Sequence, residues 1–112
     1  MRGEAKLSYI AMNRFQVKPE AAAQFEDMWR TRESKLKQTP GFREFRLLKG
    51  PEGKGFILYS SHVVWDSKAD FEAWTKSQHF RDAHKDAGQS KTQDALLGPP
   101  VFEGFETVLH ED

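Results

Sequence analysis

Three side chains, Asn13, Trp74 and His84, carry the most informative chemistry in this sequence. Asn13 interrupts the apolar face of a predicted strand, and Trp74 and His84 lie on the inward sides of predicted helical segments. A polar group that is buried costs free energy unless it has a hydrogen-bonding partner. If the three converge on one cavity, they suit a ligand that is flat, apolar and in need of one imidazole. Haem fits that description.

Each of these residues also has a simpler interpretation. His84 could donate a hydrogen bond to a backbone carbonyl in the core, although neutral imidazole is also the commonest axial ligand of haem. Trp74 could fill the core, and Asn13 could be a core amide that bonds a loop. The more specific use of Asn13 is to donate a hydrogen bond to a small ligand, such as dioxygen, in a dry pocket.

The other histidines have weaker contexts for ligation. His79 lies outside the helical stripe that contains His84, His62 lies on a predicted strand, and His110 lies near the end of the sequence. The sequence has no Ser/His/Asp arrangement for nucleophilic catalysis and no paired His/carboxylate spacing for a non-haem metal. His84 is therefore the predicted imidazole ligand.

Composition restricts the class of protein. The 112 residues suit one domain with one hydrophobic core, and Lys plus Arg equals Asp plus Glu at 17 each. A net charge near zero argues against a dedicated nucleic-acid-binding protein. The absence of cysteine excludes disulfides, thiolate chemistry and the Cys-x-x-Cys-His attachment of c-type haem. There is no apolar run of membrane-spanning length and no secretory signal, so we expect a cytoplasmic protein by default.

The first predicted elements are a strand and a helix. Alternation predicts a strand over Tyr9–Val17, and Asn13 is the only strongly polar residue among its odd positions. Pro19 suits the first turn of a helix, and apolar residues at helical spacing extend that helix to about Thr39. Pro40 and Gly41 then end it.

Two further strands are predicted before the second helix. One runs from Phe42 through Leu48, a turn covers residues 50–55, and the next strand covers residues 56–65, where β-branched and aromatic residues are frequent. The strand at residues 56–65 is partly apolar on both faces. This pattern favours a sheet whose second face is also covered.

The second helix contains a change of phase. Residues 67–70 have the form of a capping box and open the helix. Phe71 and Trp74 share one face, but on an unbroken helix at about 100° per residue the stripe with His84 would point nearly the opposite way. The members of that stripe are Phe80, Ala83, His84 and Ala87. The sequence therefore predicts a break near Lys76 and Ser77, which lets both stripes face inward.

The remaining residues complete the predicted fold. Residues 89–100 are polar and then rich in turn-forming residues, which predicts a loop of the length often found in lids and binding loops. A last strand is predicted over residues 101–110. The order strand–helix–strand, strand–helix–strand predicts an α+β fold, the ferredoxin-like βαββαβ sandwich, with an antiparallel sheet and helices on one face.

Several segments resemble the antibiotic biosynthesis monooxygenase (ABM) superfamily, over nearly the whole chain. Residues 12–15 resemble its N-R-F strand, and residues 40–42 resemble its P-G-F turn. Residues 65–74 resemble its W-x-S-x-x-x-F-x-x-W segment. Residues 77–84 are similar to the S-x-x-F-x-x-A-H segment that ends with an iron ligand.

The combination of Asn13, Trp74 and His84 resembles the haem-degrading branch, the IsdG/HmoA-type haem monooxygenases. The resemblance implies that His84 is the proximal iron ligand, that Asn13 is the distal hydrogen-bond donor, and that Trp74 presses on the distal face and helps to ruffle the porphyrin. It implies oxidative opening of haem, which is both substrate and cofactor, by dioxygen and an external electron donor such as a reductase. Iron and a bilin-type product would be released. It also implies a single ABM domain over residues 1–112 and a homodimer whose sheets pack face to face as a dimeric α+β barrel.

Three other functions fit the same residues. A cofactor-independent monooxygenase of the superfamily would hold an aromatic small molecule, with Asn13 and Trp74 orienting it. A non-catalytic haem carrier or sensor would bind haem without degrading it. A dimeric stress-related domain would have no bound cofactor. Haem titration separates the two haem-binding functions from the other two.

Overall fold

A computed structural model describes residues 8–32, 35–77, 81 and 94–111 of the chain. Within them lie the strands β1 (Tyr9–Val17), β2 (Phe42–Glu52), β3 (Ile57–Trp65) and β4 (Val101–Glu106), and the helices α1 (Ala22–Thr31) and α2 (Lys68–Thr75). The strands form one antiparallel sheet in the order β2-β3-β1-β4. The predicted α+β, ferredoxin-like fold is therefore confirmed. His84, His79 and residues 82–93 lie outside the described residues.

The first helix is shorter than the sequence predicts. A 3-10 turn at Pro19–Ala21 leads into α1, which ends at Thr31 because Arg32 adopts extended backbone angles (φ −68°, ψ 147°). A second 3-10 turn follows at Leu36–Gln38. The prediction of a helix to about Thr39 is wrong, because Leu36 leaves the stripe of α1 and is buried against Tyr9 and Trp65 instead. Tertiary packing here overrides helical spacing.

The turn predicted over residues 50–55 is wrong at its start, because β2 continues to Glu52. The register of β2 against β3 shifts between Lys49 and Glu52, which marks a β-bulge. Pro51 is tolerated there, since a bulge on an edge strand does not need the N–H that proline lacks. The chain reverses just after it, where the Gly53 N–H donates to the Phe56 carbonyl at 2.7 Å. The last strand is also shorter than predicted and ends at Glu106 rather than His110.

The helices cover one face of the sheet, and the core on that face divides into two clusters. The first cluster packs α1 against one end of β1 and β3; its buried members are Phe15, Val17, Phe25, Ile57, Tyr59, Ala95 and Leu96. The second cluster packs α2 against the other end; its buried members are Tyr9, Ala11, Leu36 and Trp65. Asn13 lies on β1 between Ala11 of the second cluster and Phe15 of the first.

The described end of the predicted 89–100 loop belongs to the core. Ala95 and Leu96 are buried, and Leu96 forms an isolated antiparallel bridge with Val17. The Lys18 N–H donates to the Ala95 carbonyl at 2.8 Å, and the Leu97 N–H donates to the Gln16 carbonyl at 2.9 Å. This part of the loop is therefore fixed along the edge of β1.

In the described part of the chain, no helix packs on the other face of the sheet, which we call the open face. One row across it joins Phe105, Ile10 and Val64, and the next joins Glu103, Met12 and His62. Phe105 is 49% exposed there. Among the described helices, neither is long and apolar enough to cross a membrane.

Candidate ligand-binding site

Asn13 lies at the middle of β1, opposite Ser61 of β3 and Phe102 of β4. Directly opposite residues of antiparallel strands point to the same face, so these three form a row. Phe102 identifies that face, because its ring stacks on Phe71 of α2 with centroids 5.6 Å apart and planes 10° apart. Asn13 therefore lies on the helix-covered face, as the alternation of β1 predicts.

The side-chain amide of Asn13 is available for a ligand. Asn13 is only half-buried, and none of the residues that the structure describes hydrogen-bonds its side chain. Its backbone N–H, in contrast, donates to Ser61 Oγ at 3.3 Å. The backbone at this position is thus fixed, while the donors and the acceptor of the side-chain amide bond none of the described residues.

Ser61 is a member of the site that sequence reasoning missed. It is 4% exposed, and its hydroxyl accepts the Asn13 N–H. The signal that identified Asn13 was also present here, since Ser61 is the one residue without an apolar side chain among the inward positions 57, 59, 61, 63 and 65 of β3. Two adjacent inward polar residues on neighbouring strands mark the row more strongly than one.

Trp74 is held by α2 on the same face as Asn13. The predicted N-cap at Ser67 is confirmed, because Ser67 Oγ accepts the Asp70 N–H at 3.1 Å. The return contact differs from that of a capping box, since Asp70 Oδ2 accepts from the Ser67 hydroxyl at 3.0 Å. The half-buried Trp74 packs on the second cluster, with its ring centroid 5.4 Å from that of Trp65 and 6.4 Å from that of Phe71. The face that Phe71 and Trp74 share therefore points to the sheet.

The break predicted near Lys76 and Ser77 is confirmed. α2 ends at Thr75, and the Ser77 N–H donates to the Trp74 carbonyl at 2.9 Å, one residue short of the α-helical spacing. Arg81 is again helical, and its N–H donates to the Ser77 carbonyl at 3.2 Å. The break on which a shared pocket depends is thus present, while the position of His84 and of its stripe stays a prediction.

The structure separates His62 and His110 from this site. His62 pairs with Met12 and Arg46 on the open face, and its Nδ1 is buried without a hydrogen-bond partner among the described residues. His110 is exposed and follows the end of β4. His62 lies on the face opposite to the row of Asn13, and His110 lies beyond the end of β4, so neither of these described imidazoles belongs to that row.

A polar network that the sequence did not reveal fixes α1 above the sheet. The buried Tyr59 hydroxyl donates a hydrogen bond to Glu26, and Arg30 and Lys49 lie 3.1 Å and 3.9 Å from the same carboxylate. The Tyr59 hydrogen bond, reinforced by the two cations, lowers the pKa of Glu26. Burial, together with the Glu26 carboxylate, raises the pKa of Tyr59 to about 12.

The row of Asn13 is chemically simple. It presents one amide that bonds none of the described residues, opposite Phe102, whose ring stacks on Phe71 near Trp74. The described residues form no cluster of three His, Asp or Glu side chains that could hold a metal ion. Flat aromatic walls with few polar groups are typical of sites for planar apolar ligands. A single amide donor would then fix the orientation of such a ligand.

Comparisons with known proteins agree with this description. The sequence profile of the family described as antibiotic biosynthesis monooxygenase matches residues 8–86. A haem-degrading monooxygenase of Shouchella clausii is 36% identical over 75 residues, which are 66% of this chain and 68% of that protein. A staphylobilin-producing haem oxygenase of Staphylococcus saprophyticus is 28% identical over 94 residues, 83% of this chain and 89% of that protein.

A solved structure has the same fold. The haem degrader MhuD of Mycobacterium tuberculosis, with two haems bound in its active site, superimposes with a TM-score of 0.69 at 23% identity. The match covers 93% of this chain and 99% of that one. At this identity, the similarity supports the fold alone.

Proposed function

Because the chain belongs to the antibiotic biosynthesis monooxygenase family, we propose that it binds haem and opens the porphyrin oxidatively. The observation that carries the proposal is that Asn13, whose side-chain amide bonds none of the described residues, lies on the same helix-covered sheet face as Trp74. Relatives named for haem degradation support the choice of haem among planar ligands.

In this proposal each of the three predicted residues has one task. His84 holds the iron through a neutral imidazole and leaves the opposite face open. Asn13 donates a hydrogen bond from its amide on that open side, where exclusion of water strengthens it. Trp74 packs against the ring, presses on its face and keeps water out. Few other groups are needed, since haem supplies the chemistry of oxygen activation when bound.

The reaction requires two further reactants. Dioxygen supplies the oxygen atoms, and an external electron donor, either a reductase or a small reductant, supplies the electrons. The proposed products are iron and a bilin-type tetrapyrrole. The apolar character of the site's described residues fits a macrocycle that is apolar over most of its area.

We also propose a homodimer that buries the open face. The row of Phe105, Ile10 and Val64 is apolar, and Phe105 and Val101 are 49% and 57% exposed. Apolar residues on the free face of an antiparallel sheet favour its burial against a second surface, which here would be the open face of the partner. Light scattering tests this: we expect twice the chain mass, and a monomer at micromolar concentration would contradict it.

Haemin titration of the purified protein tests the proposed function. We expect a Soret shift that saturates near one haemin per chain, followed by loss of the Soret band when ascorbate and air are added. His84→Ala should abolish this degradation, whereas the matched control His79→Ala should preserve it. Normal binding and degradation by His84→Ala would overturn the assignment of the ligand, and the absence of any Soret shift would overturn haem as the substrate.

A second candidate function is cofactor-independent oxidation of an aromatic small molecule. The described part of the site also supports this function, because aromatic rings and one amide would serve such a substrate as well as haem. The same titration separates the two functions, because this one predicts no Soret shift. A protein that binds haemin but leaves it intact under ascorbate and air would instead be a haem carrier or sensor.

A further inference from the structure

Ser61 is the buried polar neighbour of Asn13, and its hydroxyl proton has no acceptor among the described residues. The hydroxyl oxygen accepts the Asn13 backbone N–H at 3.3 Å, which uses one of its lone pairs. Ser61 is 4% exposed, so its hydroxyl has little access to water. A hydroxyl also carries one donor, and a buried donor without an acceptor costs free energy. The Ser61 proton therefore needs a partner that lies close by.

The sheet places one suitable acceptor next to Ser61. Its neighbours across the row are the apolar Leu47 of β2 and Asn13 of β1. The nearest inward residues along β3 are the apolar Val63 and Tyr59, whose hydroxyl is already used in the network with α1. Side chains directly opposite each other on antiparallel strands have Cβ atoms about 4.5–5.5 Å apart, which is within reach of a hydrogen bond between their tips. Among these neighbours, the side-chain carbonyl of Asn13 is the acceptor that bonds none of the described residues.

The amide of Asn13 has two ends of opposite polarity. Its carbonyl oxygen accepts hydrogen bonds and its NH2 group donates them, and a turn of the amide exchanges the two ends. Only the NH2 group can donate to a small bound ligand such as dioxygen, which is the task that the proposed function gives to Asn13. The orientation of the amide therefore decides whether this residue helps or opposes the reaction.

We infer that Ser61 is a positioning residue, which donates its hydroxyl proton to the Asn13 side-chain carbonyl in the haem complex and so turns the NH2 group toward the ligand. The hydroxyl can make both contacts at once, because it accepts the backbone N–H through a lone pair while it donates its own proton. Ser61 acts through Asn13 and has no contact with the ligand in this inference. The inference rests on the proposed function, because it concerns the donor that acts in haem degradation.

Ser61→Thr and Ser61→Val test the inference, since the two side chains have the same shape and differ in the hydroxyl. Ser61→Val should slow single-turnover decay of the Soret band about three- to tenfold relative to Ser61→Thr, as expected for the loss of one neutral hydrogen bond. The two variants should bind haemin with the same affinity, because the amide acts on the small ligand. Ser60→Ala is the matched control, because it removes a hydroxyl from the other face of β3. It should leave the rate as in wild type.

A spectroscopic measurement reports the orientation of the amide directly. In the carbon monoxide complex of the reduced haem protein, a hydrogen-bond donor near the bound carbon monoxide lowers its infrared stretching frequency. Ser61→Val should raise this frequency toward the value of Asn13→Ala, and Ser61→Thr should keep it near that of wild type. Ser61→Ala replaces Ser61→Val, with wild type as its reference, if the β-branched side chains prevent folding.

A double-mutant comparison separates action through Asn13 from a general structural effect. In the Asn13→Ala background, Ser61→Val and Ser61→Thr should degrade haem at the same rate, because the amide that they position is gone. An equal loss in both backgrounds would overturn the inference alone, as would an unchanged rate and stretching frequency in a folded Ser61→Val protein. Failure of the wild type to bind haemin would instead overturn the proposed function, and this inference with it.

Discussion

The two halves of the helix-covered face, one under α1 and one under α2, differ in whether their polar side chains have hydrogen-bond partners. In the α1 half, the buried Tyr59 hydroxyl is paired with Glu26, and Arg30 and Lys49 complete the network. In the α2 half, the Asn13 amide has no hydrogen-bond partner among the described residues, although it lies on the same sheet face. Paired polar groups stabilise a fold, while a free and oriented amide is held ready for a ligand. We therefore assign stability to the α1 half and propose ligand binding for the α2 half.

The largest expected effect is on stability and comes from the α1 half. Phe25 is fully buried and packs edge-on against Phe15 and at a tilt against Tyr59. Phe25→Ala should lower the free energy of unfolding by about 3–5 kcal/mol, because it leaves a cavity in the first cluster. Urea denaturation followed by circular dichroism measures this loss. A loss below about 1 kcal/mol would show that the α1 half does not carry the stability assigned to it.

The next effect is on activity and comes from the α2 half. Asn13→Ala removes an amide that no described residue bonds, so the free energy of unfolding should change by less than about 0.5 kcal/mol. The rate of haem degradation should fall roughly a hundredfold or more, as when a preorganised donor is removed from an active site. Single-turnover decay of the Soret band measures the rate. A large loss of stability with an unchanged rate would reverse the comparison between the two halves.

The smallest effect is a change in the pH dependence of stability. The pKa of Glu26 is lowered from the ordinary value of 4.5, first by its hydrogen bond from Tyr59. Glu26 therefore contributes stability above about pH 4.5, and this contribution is lost as pH falls through the lower folded-state pKa. Tyr59→Phe should reduce this acid-dependent loss. Thermal unfolding between pH 3 and 7 measures it, and parallel curves for the two proteins would contradict the role given to the network.

The same reasoning has an alkaline counterpart for Tyr59. Its pKa is raised from 10.0 to about 12, so its contribution is fully present below about pH 10 and is lost as pH rises toward 12. Wild type should therefore lose stability over that interval, and Tyr59→Phe should not show this component. The acid titration of Glu26 and the alkaline titration of Tyr59 therefore test the same hydrogen bond, each from one of its two partners.

Local patterns predicted much of the α2 half. Alternation in β1 identified Asn13, and the shift of helical phase between Trp74 and His84 located the end of α2 to within one residue. These inferences held because each depends on residues close in sequence. The resemblance to the haem-degrading branch of the ABM superfamily is likewise confirmed by the relatives of that name.

The features that were missed depend on contacts distant in sequence. The Tyr59–Glu26 bond joins residues 33 apart, and the Asn13–Ser61 bond joins residues 48 apart. The predicted end of α1 was wrong because Leu36 packs against Tyr9 and Trp65, a contact that helical spacing in the sequence cannot reveal. The extension of β2 through Pro51 depends on a bulge that the partner strand permits.

A crystal structure of the haemin complex tests the central claim most directly, because it shows which surface holds the ligand. The account predicts haem on the helix-covered face, with Asn13 and Trp74 against one side of the ring and His84 on the iron from the other. Haem on the open face, ligated by His62 or not ligated by His84, would contradict it.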